Sequence, residues 1–489
     1  MIVKGKMIMS EKKKRRSIST FAILLCVLLV VSAVTWLTQG KTYTDPETGE
    51  AAVVAAASLS DILMAPINGW HDAGDVIGFV FCLGAFLSIV TATGALETGI
   101  HVLVKKLHGN ELKLVWILMF LFSVGGTTYG MGEETVGFYI LLAATMTAAG
   151  FDPLVGAATV LLGAGSGVLG STINPFATGA AVAAAGVDVN MGVVYGLGVV
   201  LWLVTYFISA LFVTRYAKKV KNEKGSILTA DQLAVCKAAY GNATEIGDDE
   251  KLTKKQKIVL WIFALSFVCM ILGFIPWEDL NEGIFGALGW SGFLTGNPFG
   301  LWWFDDAAIW FLLMGIIIGL VGLEDKSQLM NCVISGFADM ISVNLVIALA
   351  RATTVIMNST GLGTWLVEAS VTALSASGLP AAAFGFLDYL LHIGLSFLVP
   401  SSSGLAGLSS PIVSPIVAGM GWSVETSIMI NVAANGFVNL FTPTCGFIMG
   451  GLALARVPYE SWLKWAGKLL AIICIVVGII LTAAMLILS

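Results

Sequence analysis

The sequence predicts an all-α polytopic membrane protein, built as an inverted-topology repeat with two re-entrant hairpins and two broken transmembrane helices. Three observations carry this. First, 57% of the 489 residues are hydrophobic and only 12% are charged, where soluble domains carry about 25% charged residues. Second, the apolar run 153–186 is long enough to cross a bilayer, yet it is interrupted by Gly167, Gly170, Ser171, Thr172, Asn174 and Pro175. Pro175 has no N–H to donate and disfavours helix at Asn174. In lipid, a broken helix is tolerated only where its freed polar groups are buried in protein or line a cavity. Third, residues 435–450 (NGFVNLFTPTCGFIMG) repeat the pattern. With Asn174-Pro175 laid on Thr442-Pro443, Ser166-Gly167 meets Asn435-Gly436 and Gly170 meets Asn439, with one gap. Paired breaks of this kind are where secondary transporters hold substrate and coupling ion.

The elements follow in order. Residues 1–19 form a basic cytoplasmic N-terminus with Lys4, Lys6, Lys12, Lys13, Lys14, Arg15 and Arg16. The apolar run 20–37 lacks a clear small-residue cleavage site and is taken as a retained span. Residues 39–64 are polar, then Ala-rich, and are expected outside. Residues 76–104 form the second span. Residues 112–150 hold two short apolar arms around the tip GGTTYGMGEET, which reads as a re-entrant hairpin entering from the cytoplasm; two ordinary spans with a polar loop are the alternative. The broken helix 153–186 and a span at 193–214 complete a first repeat, 20–216. A polar cytoplasmic linker, 217–257, follows. Residues 258–306 give a connecting helix and an external loop, where Trp277, Trp290, Trp302 and Trp303 suit an interfacial aromatic belt.

The second repeat, 307–489, has spans at 307–323 and 332–357 and an amphipathic or interfacial stretch at 361–378. A hairpin at 384–420 enters from outside with the tip VPSSSGLAGLSS. The broken helix 423–455 and a last span, 466–488, end outside. Charge tests the order. All 26 lysines and arginines fall in the segments assigned inside, except Lys41 and Arg351. That asymmetry is what the positive-inside rule expects. Seven cysteines show no metal-ligand spacing and sit mostly in apolar runs, as small hydrophobes do.

GMGEETVGFY, GSTINPFATG and VPSSSGLAGL resemble the C4-dicarboxylate anaerobic carrier family, above all its branch described as basic amino acid antiporters. The resemblance runs over essentially the whole chain. It implies membership of the ion transporter superfamily and a scaffold with a moving domain of two hairpins and two broken helices. It also implies elevator-type alternating access, often as a homodimer. Other branches of the superfamily carry Ser-Asn-Thr hairpin tips; this chain has Gly126-Thr127-Thr128 and Ser401-Ser402-Ser403 in their place.

Half-helix N-termini suit anionic groups and C-termini suit cations. Thr127, Thr128, Ser401, Ser402 and Ser403 offer hydroxyls and N–H groups to a carboxylate, or else satisfy their own loops. Ser171, Thr172, Asn174, Asn435, Asn439, Thr442 and Thr444 are oxygen donors for substrate or Na⁺, or else inter-helix packing groups. Asn174, Thr442 and Thr444 are assigned to substrate, and Ser171, Thr172, Asn174, Asn435 and Asn439 to an ion. Glu133 and Glu134 are intramembrane acids, which are costly and usually functional; either would bind a substrate ammonium or guanidinium, or carry a proton. Asp388 and His392 share a helix face; a structural pair and a proton relay are both open. Arg351 is expected as a counter-ion for Asp339 or a helix end, with a direct contact to substrate as the lesser reading.

The leading expectation is a secondary transporter in the inner (cytoplasmic) membrane for a small carboxylate-bearing metabolite. An arginine- or ornithine-like amino acid is favoured, coupled to Na⁺, H⁺ or exchange. The alternative is a C4-dicarboxylate carrier, although a dicarboxylate would want a second intramembrane cation beside Arg351. No HExxH, no phosphate loop and no catalytic pairing occur, so neither an enzyme nor a primary pump is expected. No cofactor, no metal beyond Na⁺ and no nucleic-acid partner is expected; the partners are the substrate, the bilayer and a second copy of the chain.

Overall fold

The computed structural model describes residues 20–45, 48–107, 110–221, 225–240, 251–275, 277–280 and 282–489. The basic N-terminal run therefore lies outside the described residues. The first half contains α1 (Thr20–Thr38), a small hairpin of β1 (Thr42–Thr44) and β2 (Ala51–Val53), α2 (Leu59–Asp72), α3 (Gly74–Ala92) and α4 (Ala95–Leu107). It continues with α5 (Glu111–Tyr129), α6 (Val136–Ala148), α7 (Pro153–Gly170), α8 (Ala180–Ala184) and α9 (Met191–Val220). Between the halves come α10 (Ala230–Tyr240), α11 (Lys254–Phe274), α12 (Trp277–Leu280) and α13 (Glu282–Leu288). The second half holds α14 (Phe304–Gly322), α15 (Leu329–Ser359), α16 (Leu362–Ser375), α17 (Ala381–Leu398) and α18 (Ser402–Gly419). It ends with α19 (Val424–Val438), α20 (Gly446–Leu454) and α21 (Tyr459–Leu488). Ten segments among the described residues are long and apolar enough to cross a bilayer.

One order of elements occurs twice: a span, a short amphipathic helix, a helix pair, a broken helix and a 30-residue helix. Thus α3–α9 have counterparts in α15–α21. The packing is reciprocal too. α5 and α6 both lie on α7, and α17 and α18 both lie on α19. The broken helices cross each other, and each short half-helix packs on the other repeat's helix pair, α8 on α18 and α20 on α6. α7 is buried along its whole length, which explains its all-round apolar sequence. Around this block, α1, α3, α11, α14 and α15 pack among themselves, with an aromatic cluster of Phe86, Phe263, Phe267 and Phe311 at their contacts.

Several sequence expectations change in detail. The run 76–104 is not one span: it ends at Thr93, and the following α4 carries Glu97, Lys105 and Lys106. Within 39–64, the described residues form β1–β2 and a Ser58/Asp61 capping box that starts α2. α5 runs on through Gly125, Gly126, Thr127 and Thr128, which were expected to be tip, and stops at Gly130 in left-handed geometry, φ 79°. Small residues there serve close packing: a Cβ on Gly126 would strike the Ala164 carbonyl of α7.

One end of the block is tied by polar bonds. Asp152 caps α7, and both Tyr216 and Ser226 donate to its Oδ2 at 2.6 Å. Lys221 pairs with Glu111 at 3.3 Å. This end carries the C-terminus of α9, with Lys218 and Lys219. The opposite end carries β1–β2, the segment 282–303 and the starts of α3 and α14.

Candidate functional site

The two breaks lie where α7 and α19 cross. Small residues permit the close packing: a Cβ on Gly436 would strike Leu169 Cα at the crossing, and one on Gly167 would strike the Ser123 carbonyl of α5. Each break frees backbone groups that must find partners.

The first break satisfies itself. Asn174 caps the π-helical turn Pro175–Gly179, with Oδ1 accepting from the N–H groups of Phe176 (2.9 Å) and Ala177 (3.3 Å). Its Nδ2 donates to Ser171 Oγ at 2.9 Å, and Ser171 Oγ donates to the Val168 carbonyl. Thr172 N–H donates to the Thr127 carbonyl (2.9 Å), and the two hydroxyls lie 3.3 Å apart. Thr128 bonds back to the Val124 carbonyl within α5. Thus Thr127, Thr128, Ser171, Thr172 and Asn174 hold the break and the α5 end together.

The second break meets the other tip. Asn435 and Asn439 each donate to the Pro400 carbonyl, at 3.2 and 3.0 Å, and Ser402 Oγ donates to Asn435 Oδ1 at 2.8 Å. Thr442 and Thr444 hydroxyls lie 2.7 Å apart. Asn439 Oδ1 is buried without a hydrogen-bond partner.

Between the breaks, the tips and the outer helices lies a cavity of about 190 Å³. It is small beside the roughly 300–1,000 Å³ of drug-sized sites. Of the sequence-assigned residues, Glu134, Ser401, Ser402, Ser403, Asn439 and Thr444 line it; Thr127, Thr128, Ser171, Thr172, Asn174, Asn435 and Thr442 do not. The Glu133 side chain lies outside the described ones. Arg351, Trp303, Phe176 and Cys445 line it as well. Arg351 pairs with Asp72 at 3.0 Å, not with Asp339. Phe176 and Trp303 close one wall, with ring centroids 4.8 Å apart.

The cavity lining carries both signs. α18 begins at its wall; Ser401 Oγ takes the Gly404 N–H, and the first-turn N–H groups of Ser402 and Ser403 have no intrahelical partner. α20 also begins there, at Cys445–Phe447, with no side-chain cap. These two N-termini and Arg351 favour an anionic group. The C-terminal end of α5 and Glu134, which is 3% exposed and accepts the Gly132 N–H at 2.9 Å, line the same cavity and favour a cationic group. Among the described lining residues, Glu134 is the one acid and Arg351 the one base. Val76, Trp303 and Arg351 line it from the starts of α3 and α14 and from α15.

Comparison with known proteins adds a family. Residues 19–486 match the family described as C4-dicarboxylate anaerobic carrier. An uncharacterized protein of Haemophilus influenzae is 29% identical over 86% of this chain and 78% of its own length. A protein of Escherichia coli named "Putative basic amino acid antiporter YfcC" is 26% identical over 85% of this chain and 78% of its own. Two solved structures align at 16% identity. The YdaH transporter of Alcanivorax borkumensis gives a TM-score of 0.46 over 96% of this chain and 98% of its own. Neisseria gonorrhoeae MtrF, of a class called antimetabolite efflux pumps, gives 0.44 over 97% and 96%.

Proposed function

The chain belongs to the C4-dicarboxylate anaerobic carrier family, a family of membrane transporters, and from that membership we propose that it carries a zwitterionic amino acid, arginine- or ornithine-like, by secondary transport. The observation that carries the proposal is that the cavity lining holds groups of both signs. A carboxylate suits Arg351 and the starts of α18 and α20, while an ammonium suits Glu134 and the end of α5. The family's name favours a second reading, a carrier of the succinate or fumarate class. Such a ligand would bring its second carboxylate towards Glu134, where like charges oppose each other.

The mechanism we propose is elevator-type. The block of α5–α9 and α17–α21 would carry the ligand past the frame of α1, α3, α11, α14 and α15, with the two repeats inverted in the bilayer. The reciprocal packing of the two halves supports this. We take the cavity to open towards the starts of α3 and α14, away from Lys218 and Lys219; with the positive-inside rule this reading is an outward-facing state in the inner membrane, with the N-terminus inside and the C-terminus outside. A homodimer is proposed on the family resemblance, and coupling to Na⁺, H⁺ or exchange is left to the test. Ligand-induced thermal stabilisation tests the substrate: a ligand that binds the native state raises its melting temperature. Arginine or ornithine should stabilise the protein; stabilisation by succinate or fumarate alone would select the second reading.

A further inference from the structure

The second helix pair carries a buried trio that the cavity does not use. Asp388 and His392 stand one turn apart on α17, and Ser409 meets them from α18. None is more than 1% exposed. His392 Nδ1 lies 2.9 Å from the Asp388 backbone carbonyl oxygen and 3.0 Å from Asp388 Oδ1. His392 Nε2 lies 2.6 Å from Ser409 Oγ. The Nδ1 hydrogen bond goes to the carbonyl, and neither carboxylate oxygen of Asp388 has a hydrogen-bond partner. A buried carboxylate left this way is expensive, and packing alone does not call for one.

We infer that Asp388 and His392 form a proton-binding site that couples proton uptake to movement of the α17–α18 pair. This rests on the transport reading but not on the identity of the substrate. With a neutral ring, the pair carries one negative charge. One proton taken from water onto the ring makes the pair net neutral. Among the described residues on the elements packed against the pair, no other group supplies the balance. α18 carries no titratable side chain. On α16, Glu368 accepts from Thr44; on α19, Glu425 accepts from Ser423 and Asn190. On α21, Glu460 pairs with Lys464, Tyr459 donates to the Phe441 carbonyl and Lys468 is exposed. Cys474 on α21 and Tyr389 on α17 are neutral groups at ordinary pH.

The proton also reaches the arms of the pair mechanically. A neutral ring with its hydrogen on Nδ1 accepts the Ser409 O–H at Nε2; an imidazolium donates there instead. Proton binding therefore reverses the hydrogen bond that joins α17 to α18. Ser409 lies two helical turns beyond Ser402, whose first-turn N–H faces the cavity. Net charge and bond direction would change together in the element that carries the anion-binding end of the site.

The experiment is nitrogen NMR of the full chain labelled at its four histidines, in lipid nanodiscs. His392 is identified by its loss in His392→Gln, with the shift in Ser409→Ala as a second assignment if the first variant does not fold. The expected result is that His392 passes between neutral ring and imidazolium between about pH 5 and 9, and that Asp388→Asn moves this midpoint. A ring that keeps one protonation state across that range would overturn the inference, whatever the substrate is. In proteoliposomes carrying a transported amino acid, an acid-outside gradient should raise accumulation by up to about tenfold per pH unit. His392→Gln should keep substrate exchange and lose that stimulation. Full stimulation in the variant would overturn the proton site while leaving the amino-acid reading intact.

Discussion

Arg351 Nε stands 3.0 Å from Asp72 Oδ2 and ties α15 to the last residue of α2 at the wall of the cavity. Both side chains are partly exposed, so the pair itself is worth at most about 1 kcal/mol. The guanidinium keeps further donors free for a planar carboxylate. Asp72 thus orients Arg351 without consuming it.

This relationship gives the first prediction. Arg351→Ala should weaken substrate binding by about tenfold or more, the loss of one charge-assisted contact of about 1.4 kcal/mol or more. Asp72→Asn should leave affinity within a few-fold. Isothermal titration of the two variants checks it; equal losses would make the ion pair, not the arginine, the functional unit.

Asn174 and Ser402 should separate by phenotype. Asn174 caps the turn after the first break, so Asn174→Ala should cost about 1 kcal/mol of stability with little change in affinity. Ser402 lines the cavity and bonds to Asn435, so Ser402→Ala should lower affinity more than melting temperature. Paired melting and binding curves read both effects.

Gly436 fixes the crossing of the broken helices. Gly436→Ala would drive a methyl into Leu169 Cα, backbone that cannot rotate away. The expected destabilisation is about 1–3 kcal/mol, seen as a lower midpoint in thermal unfolding. An unchanged midpoint would mean that the crossing is looser than the structure has it.

Cys445 is buried at the start of α20 on the cavity wall. In a variant retaining it as the single cysteine, a membrane-impermeant thiol reagent should react from the outside of oriented vesicles. Bound substrate should slow that reaction. Reaction only from the cytoplasmic side would reverse the proposed orientation of the mouth.

Much of this architecture is visible in the amino-acid order. Gly170, Asn174 and Pro175, and later Asn439, Thr442 and Pro443, mark both breaks because each removes a helical bond or competes with one. The tip expected at 399–410 is much shorter in the fold: α18 starts at Ser402 and runs on through the rest of it. The roles at the first break were less visible. Thr127, Thr172 and Asn174 have the chemistry of ligands, but in the fold they satisfy one another's freed groups. Local chemistry cannot distinguish the two uses. Arg351 shows the opposite case: its partner Asp72 is far away in sequence, and only the packing of α15 on α2 brings them together. The lone cation in that span was visible and reads as a counter-ion, but Asp339, the acid named for it, is not its partner. The end of α3 at Thr93 was hidden because an apolar run does not show where one helix stops and an amphipathic one starts.

The central claim is that the cavity holds both ends of a zwitterion, and binding of three matched ligands tests it most directly. These are arginine, agmatine, which lacks the carboxylate, and the arginine analogue lacking the α-amino group. The account predicts that arginine binds, that each analogue loses about tenfold or more, and that Glu134→Gln removes the preference for arginine over the deamino analogue. Equal binding of arginine and its deamino analogue, or tighter binding of succinate than of any amino acid, would contradict it.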